Sequence, residues 1–175
     1  MSQSNVTQRG DGPTLFSVAQ IQHVLKTEFG RALRYRYPLA VVVIAIDQLG
    51  ALRDRLGFEA KETAFDAVVG LLQEATRSSD FLGRTPDDRL LAVVPHTSAE
   101  GLRALAERLL VRARALDLAP DVREKITLSV GGSSIVAEGM PYHDALLAAA
   151  EAAQADATSQ GGDRFVERSA LEAGK

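Results

Sequence analysis

The chain contains no cysteine and no tryptophan. The first absence removes disulfides, thiol catalysis and thiolate metal sites together. No apolar run approaches the ~18 residues of a membrane span; the longest, Leu39 to Ile46, is strand-sized. A basic flank followed by an apolar stretch is missing from Met-Ser-Gln-Ser-Asn at the start, so no signal peptide is visible. There is no cationic excess either: 20 Lys and Arg stand against 23 Asp and Glu, and the pI near 5.6 argues against nucleic-acid binding by bulk electrostatics. What is present is an ordinary globular composition, 46% hydrophobic and 25% charged, which excludes wholesale disorder. The 175 residues fit one domain, expected to be soluble and cytoplasmic, with no membrane or nucleic-acid partner.

Residues 1–13 are polar and Gly-bearing and are expected to form a flexible tail; 14–168 are expected to form the domain and 169–175 a C-terminal tail. From Leu15 the spacing of Phe16, Ala19, Val24, Leu25, Phe29, Ala32 and Leu33 predicts a helix, stopped by Pro38. Leu39 to Ile46 is an unbroken, β-branched-rich run, the pattern of a strand covered on both faces, and it ends at Asp47. A short helix over Leu49–Leu56 and a longer one over Glu59–Thr76 follow, the latter burying Ala64, Phe65, Val68, Leu71 and Leu72. Phe81–Arg84 and Leu90–Val94, joined by Thr85-Pro-Asp-Asp-Arg89, read as a β-hairpin. Ser98 is expected to cap a helix carrying Leu102, Leu105, Ala106, Leu109 and Leu110. Lys125–Val136 reads as a strand with a bulge or bend at Gly131-Gly132, Asp144–Ala157 as a helix, and Gly161–Val166 as a turn into a last strand. The resulting order, α-β-α-α-β-β-α-β-α-β, implies an α/β fold with a mixed central sheet flanked by helices.

This order resembles the GGDEF (diguanylate cyclase) family. The stretches that carry the likeness are Pro38–Asp47, Arg77-Ser-Ser-Asp-Phe-Leu-Gly-Arg84, Leu102-Arg-Ala-Leu-Ala-Glu-Arg108 and Ile126-Thr-Leu-Ser-Val-Gly131, in order and at matching spacing from Leu15 to Val166. The resemblance implies a nucleotidyl-cyclase-like fold with a ferredoxin-like palm core. Family members make cyclic di-GMP from two GTP molecules held between facing domains. In that frame the first magnesium-binding Asp becomes Ala45, followed by Ile46 and Asp47, and a phosphate-binding Phe-Lys becomes Leu49-Gly50. Guanine-recognising Asn and Asp become Arg53 and Glu62, and two phosphate-holding cations near the end align with Thr158 and Gly162. The signature turn becomes Pro86-Asp87-Asp88-Arg89-Leu90.

These replacements share a direction. Paired glycines let backbone N–H groups approach a triphosphate, whereas Pro86 has no N–H and Asp87 brings negative charge. Magnesium on phosphates needs one or two protein carboxylates, and Ala45 supplies none. The expectation is a pseudo-enzyme without cofactor, metal or catalytic residues. One family feature is retained: Arg77-Ser78-Ser79-Asp80, separated from Pro86 by five residues, matches the RxxD inhibitory site for cyclic di-GMP. A guanidinium can donate twice to guanine O6 and N7, and a carboxylate can accept from guanine N–H groups. The resemblance adds Arg108 as a second cation, and Arg112, one turn on, could reach the same side. The expected ligand is therefore cyclic di-GMP at Arg77, Asp80, Arg108 and Arg112, in a receptor or effector whose ligand could bridge two copies.

Plainer readings compete. An Arg at a helix end meets the helix dipole, and an Asp just beyond it satisfies turn N–H groups. Arg103 and Arg114 read as a solvated helix face, and His23, His96 and His143 as surface or packing residues. A nucleotide-independent scaffold for an unidentified protein partner is the main rival. A residual cyclase using Asp47 and Asp88 with magnesium ranks last.

Overall fold

The computed structural model describes residues 14–118, 125–135 and 142–170. The expected tail over 1–13, the Val136 end of the expected strand and residues 171–175 lie outside them. The described elements are β1 (Leu15–Phe16), α1 (Val18–Tyr35), β2 (Leu39–Ile46), α2 (Leu49–Leu56), α3 (Phe58–Ala75), β3 (Phe81–Arg84), β4 (Leu90–Pro95), α4 (Ala99–Arg114), β5 (Leu128–Ser134), α5 (His143–Ser159) and β6 (Arg164–Glu167).

The six strands form one mixed sheet in the order β1-β3-β4-β2-β5-β6. Its centre is β2, antiparallel to β4 on one side and to β5 on the other, while β1 and β6 join the edges in parallel. Seven of the eight β2 side chains are buried, as its apolar run demands. Alternation splits them between two cores. Ala40, Val42, Ile44 and Ile46 pack with α3 and α4 residues such as Phe65 and Leu109. Leu39, Val41 and Val43 pack with Ile21, Leu25 and Phe29 of α1 and with Leu146 and Ala149 of α5. No described helix is long and apolar enough to cross a membrane.

Two expectations need correction. The first helix begins at Val18, not Leu15, because Ser17 caps it in a capping box with Gln20. Leu15 and Phe16 are instead strand residues, paired in parallel with Leu82 and Gly83. The buried stripe of α1 accordingly runs through Ile21, Leu25, Glu28, Phe29 and Ala32, and Leu33 is 48% exposed. Gly131 and Gly132 make no bulge either. Both hold regular register with Val43 and Val42 and with Val166 and Glu167. Their lack of a side chain serves packing: a Cβ on Gly131 would stand 2.0 Å from the Gln154 backbone nitrogen of α5.

Candidate functional site

The two constellations singled out from the sequence lie at opposite ends of the β3–β4 hairpin. Residues 77–80 precede β3, next to the end of β4, because Phe81 pairs with Val93. The turn over Thr85–Arg89 is at the other end, where Arg84 pairs with Leu90. Helix α3 runs beside both, with Lys61 and Glu62 near the turn and Ala75 near Arg77.

At the first end, α3 stops at Thr76, whose hydroxyl turns back to the Leu72 carbonyl at 2.7 Å. The Asp80 carboxylate folds under this corner: Oδ2 accepts the Arg77 backbone N–H at 2.8 Å, and the Asp80 N–H donates to the Arg77 carbonyl at 3.0 Å. Asp80 is thus 4% exposed, and its other oxygen, Oδ1, is buried without a hydrogen-bond partner. Burial raises the carboxyl above its ordinary range, against the lowering pull of the Arg77 N–H and charge. A buried oxygen left unpaired costs free energy, so it marks a place where a donor is wanted.

That carboxylate borders a cavity of about 290 Å³ whose walls include Arg77, His96, Ser98, Gly101 and Arg108. Arg77 is exposed, and Arg108 donates from Nη2 to the Ala75 carbonyl at 3.0 Å, one of the five donors its guanidinium carries. Three of the four residues expected to hold the ligand therefore meet at one cavity. Arg112 does not line it; its guanidinium turns to Glu74 at 3.8 Å.

At the second end, the turn is stitched by its own groups. The Thr85 N–H donates to the Arg89 carbonyl at 2.9 Å, and Asp88 sits in the left-handed region at φ 58°. Asp87 and Arg89 pair at 2.7 Å. The Asp88 carboxylate takes the Lys61 ammonium and the Arg84 guanidinium. Glu62 pairs with the same two cations, at 3.6 Å to Lys61 and 3.2 Å to Arg84. Arg84 also covers the Phe65 ring at 3.9 Å. Burial would raise the Asp88 carboxyl, but hydrogen bonds and charge from Lys61 and Arg84 hold it below the ordinary range. Two cations and two anions thus neutralise each other.

Asp47, at the end of β2, is equally occupied. Its carboxylate accepts from the Thr127 hydroxyl at 2.8 Å, the Ser129 hydroxyl at 2.6 Å and the Asp163 N–H at 2.9 Å. Gly162 lies against it so closely that a Cβ there would stand 2.6 Å from the carboxylate. Among the described residues, no three His, Cys, Asp or Glu side chains converge in a metal-binding group.

The family profile described as "Diguanylate cyclase, GGDEF domain" matches residues 14–164. The chain belongs to the GGDEF family. It is 26% identical over 141 residues to diguanylate cyclase DosC of Escherichia coli, a match covering 81% of this chain and 31% of that protein. This GGDEF domain thus spans about a third of the length of that curated relative. Its fold is that of the active GGEEF domain of a diguanylate cyclase from Vibrio cholerae, with a TM-score of 0.83 at 23% identity over 88% of this chain and 97% of the other. It is also that of the GGDEF domain of DgcB from Caulobacter crescentus, solved in complex with c-di-GMP, with a TM-score of 0.81 at 16% identity over 95% and 98%. The mixed α/β architecture expected from the sequence is therefore the family's own.

Sequence reasoning named Asp88 and Glu62 but missed the cations that hold them in this GGDEF domain, Lys61 and Arg84. Arg84 and Asp88 flank one hairpin, so their pairing was readable from the turn itself. Lys61 gave no such signal, because it reaches the turn only through the packing of α3 across 27 positions of chain. His96 and Ser98 join the cavity because β4 ends beside the start of β3.

Proposed function

We propose that this GGDEF domain is a cyclic di-GMP receptor that does not make the dinucleotide. The observation that carries the reading is the meeting of Arg77, Asp80 and Arg108 at one cavity, with one Asp80 oxygen left without a partner at its edge. Guanine offers what that corner lacks: N–H donors for the carboxylate and acceptor atoms for the arginines. The cavity, at about 290 Å³, approaches the lower end of small-molecule pockets, about 300 Å³. It suits one base, with the rest of the ligand lying across the surface. A cyclic dinucleotide has a second guanine to offer another copy, so occupancy would favour a dimer.

The absence of synthesis rests on the opposite end. Ala45 has no side-chain oxygen for a cation, and Asp88 and Glu62 are already held by Lys61 and Arg84. Pro86 removes an N–H from the turn, and Asp87 places a carboxylate where phosphates would come. This donor set does not suit a magnesium ion carrying a triphosphate. A cytoplasmic location follows from the reading, since that is where such a messenger would be met.

Isothermal titration with cyclic di-GMP tests the proposal. Heat with the native protein, lost in Arg77→Ala, is the expected result, together with no cyclic di-GMP formed from GTP and magnesium. No heat at tens of micromolar ligand, or full affinity in Arg77→Ala, overturns the receptor reading. Cyclic di-GMP production that Asp88→Ala abolishes overturns the absence of synthesis.

A second reading, a docking scaffold for a protein partner, is favoured by Leu56 and Phe58, which stand 45% and 64% exposed where α2 meets α3. A partner captured equally with and without cyclic di-GMP, and released by Phe58→Ser, would support it.

A further inference from the structure

His96 follows β4 and has its backbone in the left-handed region, at φ 54°. That region is uncommon for most residues with a Cβ, histidine being among those that enter it more readily, and glycine occupies it without strain. Its imidazole stacks on the Tyr37 ring, with centroids 4.0 Å apart and planes at 29°. Tyr37 is itself anchored. Its hydroxyl donates to Glu28 Oε2 at 3.1 Å, and the other Glu28 oxygen is paired with Arg31 at 2.8 Å. Glu28 is 7% exposed, so this chain of contacts ties the ring pair to α1. His96, at the outer end of that chain, is exposed and lines the same cavity as Arg77, Asp80 and Arg108.

Histidine enters the left-handed region more readily than most residues, so what singles out His96 is its place: an exposed ring at a cavity wall, held from behind by Tyr37. We propose that His96, backed by Tyr37, is the platform on which a purine base stacks when a nucleotide occupies this cavity. The inference deepens the receptor reading and rests on it. Every base has a π-face that an aromatic ring can hold without regard to its identity. Discrimination then falls to the base edge, where acceptor atoms meet Arg77 and N–H donors reach the Asp80 carboxylate once its buried oxygen is uncovered by a small shift of the corner. The division of labour is that of a face reader and an edge reader on adjoining walls.

Titration of the full chain with cyclic di-GMP tests this with four variants. His96→Ala and His96→Gly are expected to bind about tenfold more weakly than the native protein, while His96→Phe stays within about threefold. His96→Gly, freed of backbone strain, should melt no lower than the native protein. Arg77→Ala should lose binding altogether. Equal affinity in His96→Ala and the native protein, with Arg77→Ala still silent, overturns the platform and leaves the receptor reading standing. Phe as weak as Ala likewise removes it, because a ring face would then contribute nothing. No heat from the native protein at tens of micromolar ligand overturns the receptor reading and the platform with it.

Discussion

Asp80 separates structure from recognition. Burial raises its carboxyl, so the folded chain holds this proton more tightly than the unfolded chain does. Its contribution therefore favours folding below the ordinary carboxylate range and is lost as pH rises through the raised folded value. Asp80→Asn keeps an oxygen for the Arg77 N–H but removes the buried charge. It is expected to melt at or above the native temperature at neutral pH while losing cyclic di-GMP affinity; calorimetric melts and titration check both. If Asp80 served only the corner, substitution would leave binding unchanged. Asp88 runs the other way. Lys61 and Arg84 depress its carboxyl, so its stabilisation is present above the ordinary carboxylate range and is lost as pH falls through the depressed value. Lys61→Met leaves Asp88 and Glu62 with Arg84 alone. The expected cost is about 1–3 kcal/mol, most of it cancelled in the Lys61→Met/Asp88→Asn pair, as urea unfolding of the double-mutant cycle would measure.

At the scale of elements, glycine spacing carries more than conformational freedom. Gly131 lies in a regular strand, and the clash a Cβ would make is with α5 backbone, which cannot step aside as a side chain does. Gly131→Ala is expected to cost more than the ~1–3 kcal/mol of ordinary overpacking, or to prevent folding, read by urea unfolding or by loss of soluble protein. This is where the sequence was hardest to read. Period and apolar runs made β2, α3 and the β3–β4 hairpin legible, because burial on one or both faces is written in local composition. The same reasoning took Gly131-Gly132 for a bulge, since Gly131 makes room for helix α5, some twenty residues on, and Gly132 for Leu102 and Phe165. It also extended α1 through Leu15 and Phe16. Their apolar side chains suit a helix or an edge strand alike, and only Ser17's capping geometry decides. In the cavity, Arg77, Asp80 and Arg108 were legible through family spacing. His96 was not, because its role depends on where β4 ends.

Across the whole molecule, the hairpin register keeps the two ends apart. Phe81 faces Val93 and Arg84 faces Leu90, so the β3–β4 pairing is set by strand residues on both sides of the turn. Residues 86–89 therefore hang from a frame whose other extremity carries the Asp80 corner and His96. Grafting the Gly-Gly turn of a working synthase onto that frame should leave the distant pocket's ligand affinity intact, and on its own it should not awaken synthesis, since Ala45 and Lys61 lie off the hairpin. On the receptor reading, a lineage could lose the chemistry of the turn while the strand register went on holding the Asp80 corner in place.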